Sequence, residues 1–279
     1  MKIPILLDTD PGSDIDDAVA LAYLLVHPDC ELVGITTVTG DTQKRAAICD
    51  AVCQDFGRTD IPIYAGLSET RGPGRGQPLV PHYDALPPSD RQFPTNAVEF
   101  LRDTIRSRPG EITLLTVGPL TNFAALLDLD PEIPALCKQI VMMAGASFDG
   151  HHHEWNCIVD PSATERVFGA VDQLTAIGLD VTLKCQLTPA ETDARFTDPR
   201  FASVRKMAAK WFSDVSHITF HDPLAAAVIF HTELCGFETG RIEIGAEGMT
   251  TFVAGAGGHR YAKTVDTDGF FSEYFRRFS

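Results

Sequence analysis

Short apolar runs alternate with helix-spaced stretches along most of the 279 residues, and that alternation leaves few folds open. Ile3–Leu7 reads as a buried strand, followed by an Ala/Leu-rich helix over Asp16–Val26 that His27-Pro28 closes, because proline cannot continue the turn. Glu31–Val38 predicts a strand, Thr42–Phe56 a helix and Ile61–Ala65 a short strand. Residues 95–107 predict a helix, Ile112–Val117 a strand, Asn122–Leu129 a helix, Gln139–Ala144 a strand, Pro161–Ala170 a helix and Leu174–Leu179 a strand. Strand and helix in turn predict the α/β class: one domain over 1–279, with a largely parallel, Rossmann-like central sheet flanked by helices. Beyond Asp180 the pattern turns helical at 200–215 and 221–230, then β-like at Arg241–Ala254. The exception is the Pro/Gly-rich stretch at 66–94, which shows no periodicity. A loop that long in a compact domain reads as a flexible active-site loop.

Composition removes several classes of function. Thirty-eight acids against 23 bases give a net charge of -15, a field that repels a polyanion, so no nucleic-acid partner is expected. No run of about 18 apolar residues occurs, so no membrane span is expected. The apolar stretch behind Met1 is too short for a signal peptide. Seven scattered cysteines without a CxxC suit reduced thiols in a cytoplasmic enzyme.

The chemistry concentrates directly after the first strand, where Asp8, Asp10, Asp14, Asp16 and Asp17 place five carboxylates within ten residues. Ligands of open α/β sheets bind outside the carboxyl ends of strands, which is where this segment falls. Pro11-Gly12 makes the turn, Ser13 or Asp14 can cap the next helix, and Asp16 and Asp17 sit in its first turn. A helix N-terminus favours each acid by only about 0.3–1 kcal/mol, too little to hold five carboxylates in one crevice. A bound divalent cation resolves the repulsion, and oxygen ligands favour Ca²⁺ or Mg²⁺ over Zn²⁺. A capped helix with a solvated acidic turn is the plainer alternative. Asp8-Thr9-Asp10 also resembles the aspartyl nucleophile motif of haloacid-dehalogenase-type phosphatases, which use Mg²⁺, although Gly12 stands where that motif needs Thr or Val.

Five landmarks, in order from residue 8 to about 227, carry a stronger resemblance. They are Asp8 to Ala18; Val117-Gly118-Pro119-Leu120-Thr121-Asn122; Met143-Ala144-Gly145 with Glu154-Trp155-Asn156 and Asp160-Pro161; Gly178-Leu179-Asp180-Val181-Thr182; and His221-Asp222-Pro223-Leu224. Together they resemble the inosine-uridine-preferring nucleoside hydrolases. The resemblance implies that family's fold and Ca²⁺-dependent hydrolysis of the N-glycosidic bond of a ribonucleoside, giving ribose and free base. It implies Asp10 as general base and metal ligand, Asp17 and Asp222 as further ligands, and the Val117 carbonyl as another. Asp16, Glu154 and Asn156 would grip the ribose, and His221 would protonate the leaving base. It also suggests a homodimer or homotetramer. A non-catalytic nucleoside-binding relative remains an alternative.

Other positions carry weaker signals. His217 and His221, four apart, could bind zinc if they shared a helical face. His82 in the long loop resembles a family position that touches the base, and a solvated loop histidine is the competing reading. His151-His152-His153 precedes Glu154 and could contact the base or the 5′-hydroxyl. Phe148 and Trp155 are available to stack on a base. Several residues depart from the family pattern: Ser13-Asp14-Ile15 lengthens the acidic turn, which opens the role of Asp14, and Asp41, a candidate substrate contact, stands where many members have Asn. Trp155 replaces Phe, Leu183 stands where His is common, and Cys185 lies two residues further on.

Overall fold

The computed structural model describes residues 2–147, 153–255 and 257–278. Its first half runs β1 (Ile3–Thr9), α1 (Asp16–Val26), β2 (Cys30–Thr37), α2 (Thr42–Asp55), β3 (Ile63–Ala65), α3 (Ala97–Ser107), β4 (Thr113–Thr116), α4 (Thr121–Leu129), α5 (Ile133–Leu136) and β5 (Gln139–Met143). The second half continues through α6 (Trp155–Val159), α7 (Pro161–Ala170), β6 (Gln173–Ile177), α8 (Leu179–Thr182), β7 (Gln186–Leu187), α9 (Pro189–Arg195), α10 (Ala202–Trp211), β8 (Ile218–Thr219) and α11 (His221–Val228). It ends in β9 (Cys235–Ile244), β10 (Thr250–Ala254), β11 (Gly258–Val265) and α12 (Thr267–Arg276).

Among the described residues, nine strands form one sheet in the order β10-β9-β11-β6-β5-β4-β1-β2-β3. Only β9 runs against the rest, pairing antiparallel with both β10 and β11. The expected parallel α/β sheet is therefore present. Central strands are buried on both faces, as crossover helices require, and successive side chains divide between two cores. Ile5 and Leu7 join one core with α1, α2, α10, α11 and α12, while Leu6 joins the other with α3, α4 and α7.

The strand order places the site. The chain grows from β1 toward β2 and β3, then returns to the other side of β1 with β4 and continues outward. The β1/β4 junction is thus the switch point of the sheet, where a crevice opens beyond the carboxyl ends. At that edge Asp8 lies opposite both Thr36 of β2 and Thr116 of β4.

Several expectations shift. The strand expected to reach Leu179 ends at Ile177, and Leu179–Thr182 is a helical turn. The β-like stretch at 241–254 is part of a hairpin that begins at Cys235, and β11 and α12 follow it unforeseen. Asp266 starts α12 by accepting a hydrogen bond from the Gly269 N–H at 2.9 Å. Residues 66–94 are irregular apart from a 3-10 turn at Pro81–Ala85, and they are tied to the rim of the crevice. The Arg71 N–H donates to Asp160 Oδ2 at 2.9 Å and the His82 N–H to the Gly12 carbonyl at 3.0 Å.

Helices α1 and α11 pack side by side, and α12 closes over their far ends. There Glu273 accepts from the Tyr23 hydroxyl at 3.2 Å, pairs with His231 at 3.1 Å and meets the Arg276 and Arg277 guanidinium groups. Tyr274 donates to the Val19 carbonyl at 2.9 Å.

Candidate active site

The crevice holds a cavity of about 350 Å³ whose floor carries Asp10, Asp14, Asp16, Asp17 and Asp222. Its walls include Val117, Met143, Trp155, Leu179 and Leu183, with His153, Glu154, Asn156, His221, Ser13 and Gln77 completing the lining. Two helix starts deliver the acids. Asp16 and Asp17 open α1, and Asp222 lies in the first turn of α11, so the three acids sit at the positive ends of two helices. Asp17 Oδ1 accepts from the Thr9 hydroxyl at 2.5 Å and from the Asp10 N–H at 2.9 Å. Asp16 Oδ2 accepts from the Asp222 N–H at 3.0 Å. The turn between β1 and α1 needs Gly12. Its φ is +107°, and an added Cβ would lie 2.5 Å from Val80.

Electrostatically the cluster is unbalanced. Burial raises Asp10, Asp16 and Asp222 well above the usual carboxylate range, and the neighbouring aspartates push each of them further. Burial also raises Asp17, and it carries Asp14 up to about 7. Arg45, fully buried in α2, faces this cluster but spends its donors on main-chain carbonyls and the Ser13 hydroxyl, with no bond to a carboxylate. It bonds the carbonyls of Thr39 at 2.7 Å, Pro11 and Gln77 each at 3.1 Å, and that of Asp10. Among the described residues, oxygens of Asp16, Asp17 and Asp222 lie within 4.8 Å of one another. A compact, buried set of hard oxygens with surplus negative charge fits a hard divalent cation. Asp10 stands outside that closest trio but lines the same cavity.

Asn156 and Glu154 are held by the main chain around them. Asn156 Nδ2 donates to the Val117 carbonyl at 2.7 Å and to the Met143 carbonyl at 3.1 Å. A carbonyl oxygen has two lone pairs, so Val117 retains one for another partner. Glu154 caps α6, accepting from the N–H groups of Asn156 at 2.7 Å, Cys157 at 3.0 Å and Gly145 at 3.2 Å. His221 Nδ1 lies 2.7 Å from the Thr182 hydroxyl, and burial lowers the imidazole to about 4, leaving it neutral near pH 7.

Other residues singled out in the sequence lie elsewhere. Asp41 does not line the cavity; it caps α2 through the Lys44 N–H at 3.1 Å and pairs with the Lys44 ammonium. His82 is buried in the loop rather than solvated, with Nδ1 2.9 Å from the Gly12 carbonyl, and it is not in the cavity lining. Asp8 is also absent from the crevice. It is wholly buried, accepting from Thr36 at 2.5 Å and Asn122 at 2.7 Å, so no phosphate ester can reach it as a nucleophile. His217 and His221 share no helical face, because α11 begins at His221 and β8 lies between them. Cys185 is buried, with its thiol pushed up to about 12. Phe148, His151 and His152 lie outside the described residues, while His153 lines the cavity. Arg45 and Gln77 escaped the sequence reading. The one available signal for Arg45 was that, of the adjacent cations Lys44 and Arg45, it stands next to the apolar run Ala46-Ala47-Ile48.

A buried carboxylate crevice at the switch point of a doubly wound sheet defines an enzyme that works on a small polar ligand. Residues 5–272 match the inosine-uridine preferring nucleoside hydrolases, and the chain belongs to that family. It is 33% identical over 251 residues to the non-specific ribonucleoside hydrolase RihC of Escherichia coli O127:H6, covering 84% of this chain and 81% of that protein. It is 27% identical over 267 residues to uridine nucleosidase 1 of Arabidopsis thaliana, covering 88% and 79%. The solved structure of a purine-preferring ribonucleoside hydrolase from Gardnerella vaginalis superposes with a TM-score of 0.83 at 26% identity, covering 99% of this chain and 98% of that one. An inosine-guanosine nucleoside hydrolase shares the fold with a TM-score of 0.85 at 20% identity, covering 100% and 99%.

Proposed function

We propose that the protein hydrolyses the N-glycosidic bond of ribonucleosides, releasing ribose and free base, with Ca²⁺ as its resident ion. One observation carries this reading: four aspartates from the start of the chain and Asp222 from its far end line a single cavity beside His221. Asp10, Asp17 and Asp222, with the Val117 carbonyl, would hold the ion, and Asp16 lies close enough to Asp17 and Asp222 to compete for it. When bound, the ion supplies positive charge that orients water and sugar hydroxyls and lowers the pKa of water.

The remaining work falls to the chain. Asp10 takes the proton from the attacking water as the C1′–N bond opens and the ribosyl group gains cationic character. Asp16, Glu154 and Asn156 face the sugar hydroxyls, while Met143, Leu179 and Leu183 exclude bulk water. His221, whose Nδ1 lies 2.7 Å from the Thr182 hydroxyl, would act as the imidazolium: it takes up a proton from solvent first, passes it to the departing base as the C1′–N bond opens, and returns to the neutral ring. We assign the enzyme to nucleoside salvage in the cytoplasm as a homodimer or homotetramer, and all seven cysteines being free thiols agrees with that compartment.

The test is ribose release from uridine, cytidine, inosine and adenosine, with Asp10→Ala as control and Ca²⁺ affinity measured by calorimetry. Tight Ca²⁺ binding without ribose from any nucleoside would overturn the reaction, and activity restored only by another divalent ion would overturn the choice of calcium.

A further inference from the structure

In the acidic turn between β1 and α1, successive carbonyls are held by side chains from elsewhere in the chain. Arg45 of α2 bonds the Asp10 and Pro11 carbonyls, and its Nη1 also bonds the Ser13 hydroxyl at 3.1 Å. The next carbonyl, that of Gly12, is met twice by one residue of the Pro/Gly-rich loop. The His82 N–H donates to it at 3.0 Å, and His82 Nδ1 lies 2.9 Å away. A carbonyl only accepts, so Nδ1 carries the proton and donates as well. His82 is buried, at 6% exposure, and lies outside the cavity lining. Helix α10 backs it. The Trp211 ring is centred 5.5 Å from the imidazole, Lys210 Nζ donates to the Pro81 carbonyl at 2.5 Å, and the same ammonium lies 3.5 Å from the Asp84 carboxylate. Gly12 has no side chain to restrain it, so the bonds to its carbonyl decide where the turn goes.

We propose that His82 is a positioning residue: its ring N–H holds the Gly12 carbonyl and so fixes the turn that carries Asp10, Asp14, Asp16 and Asp17 into the crevice. The consequence for turnover rests on the nucleoside hydrolase reading; the hydrogen bond and its effect on the turn do not. The Pro/Gly-rich loop thus reaches the acids through the main chain and not through the substrate. A neutral imidazole has one N–H, and Gly12 takes it, so none is left to donate to a base. The ring bond is separable from the main-chain bond, since a substitution at position 82 removes the first and keeps the second. Asparagine carries its NH₂ group on Cγ, the carbon that bears Nδ1 in histidine. His82→Asn therefore restores the donor that His82→Leu removes.

The experiment reads the bond, the ion and the reaction separately. In the metal-free protein the Gly12 carbonyl ¹³C resonance should shift in His82→Leu and return toward its wild-type position in His82→Asn. A long-range ¹H–¹⁵N spectrum of the wild type should show the His82 proton on Nδ1. A Gly12 resonance indifferent to His82→Leu, or a proton on Nε2, overturns the proposal. By calorimetry His82→Leu should weaken Ca²⁺ binding about tenfold, the loss expected for one buried hydrogen bond, and His82→Asn should recover it to within about threefold of wild type. Calcium affinity untouched by His82→Leu overturns the proposal as well. On uridine and inosine with Ca²⁺ supplied, kcat/KM should fall by the same factor for both and recover with asparagine. A loss confined to one base and unrelieved by asparagine marks a substrate contact, which also overturns it. Should the wild type release no ribose, the reaction assignment fails while the resonances still decide whether His82 holds the turn.

Discussion

The main-chain N–H of Asp222 donates to Oδ2 of Asp16 across 3.0 Å, joining positions 206 residues apart in the chain. That bond uses backbone on one side, so it survives loss of the Asp222 carboxylate. Asp222→Ala should therefore leave the α1–α11 contact standing while removing one cation ligand. Calorimetry should show Ca²⁺ affinity lower by at least about 100-fold, equivalent to about 2.7 kcal/mol. An affinity within threefold of wild type would remove Asp222 from the ligand set.

His221→Ala should separate chemistry from ion binding. Calcium affinity should stay near wild type, while kcat falls about 10²–10⁴-fold, most for nucleosides whose bases leave poorly. Thr182→Val removes the hydroxyl 2.7 Å from Nδ1 and should act in the same direction with a smaller loss. A panel of nucleosides graded by leaving-group pKa checks this; a uniform loss across the panel would assign His221 to binding.

Much of this site was legible in the sequence because its acids are neighbours along the chain. Asp10, Asp16 and Asp17 sit at a strand end and a helix start, two features that periodicity reveals. Gln77 was hidden because nothing in a Pro/Gly-rich loop says which residue turns inward. Asp41 was misleading for the opposite reason: an acid before a helix serves equally as a cap, and here Lys44 takes it. Asp8 shows the limit of counting charges. Its strand position matched the others, but Thr36 and Asn122, 28 and 114 residues away, bind it inside the fold. The terminal β9–β11 sheet and α12 were partly missed because alternation on a half-exposed edge is diluted by polar residues.

Without the ion, stability should fall as pH rises. Burial lifts Asp8 from 3.8 to about 7, so the folded protein holds this proton after the unfolded chain has released it. The stabilisation is complete below about 3.8 and is lost as pH climbs through about 7; Asp10, Asp16 and Asp222 act with the same sign. In EDTA the melting temperature should drop between pH 5 and pH 8, and Ca²⁺ should raise it by more at pH 8 than at pH 5. Asp8→Asn should flatten the EDTA profile and retain ribose release. Loss of all turnover in that variant would contradict a purely internal role for Asp8.

Arg45→Met should be among the most damaging single changes. It strands the buried carbonyls of Thr39, Asp10, Pro11 and Gln77, for a loss of about 3–5 kcal/mol in denaturant unfolding. A loss below about 1 kcal/mol would show that the acidic turn holds its shape unaided.

Side by side, α1 and α11 work like the two arms of a clothes-peg. The jaws are the carboxylates at their first turns, and the spring is the knot of Glu273, Tyr23, His231 and Arg277 toward the other end, which meets α1 at Tyr23, about 10 Å along the helix from Asp16. A change at Glu273 or Arg277 therefore acts on the seating of α12 against α1 and α11, at the end of the pair away from the acids.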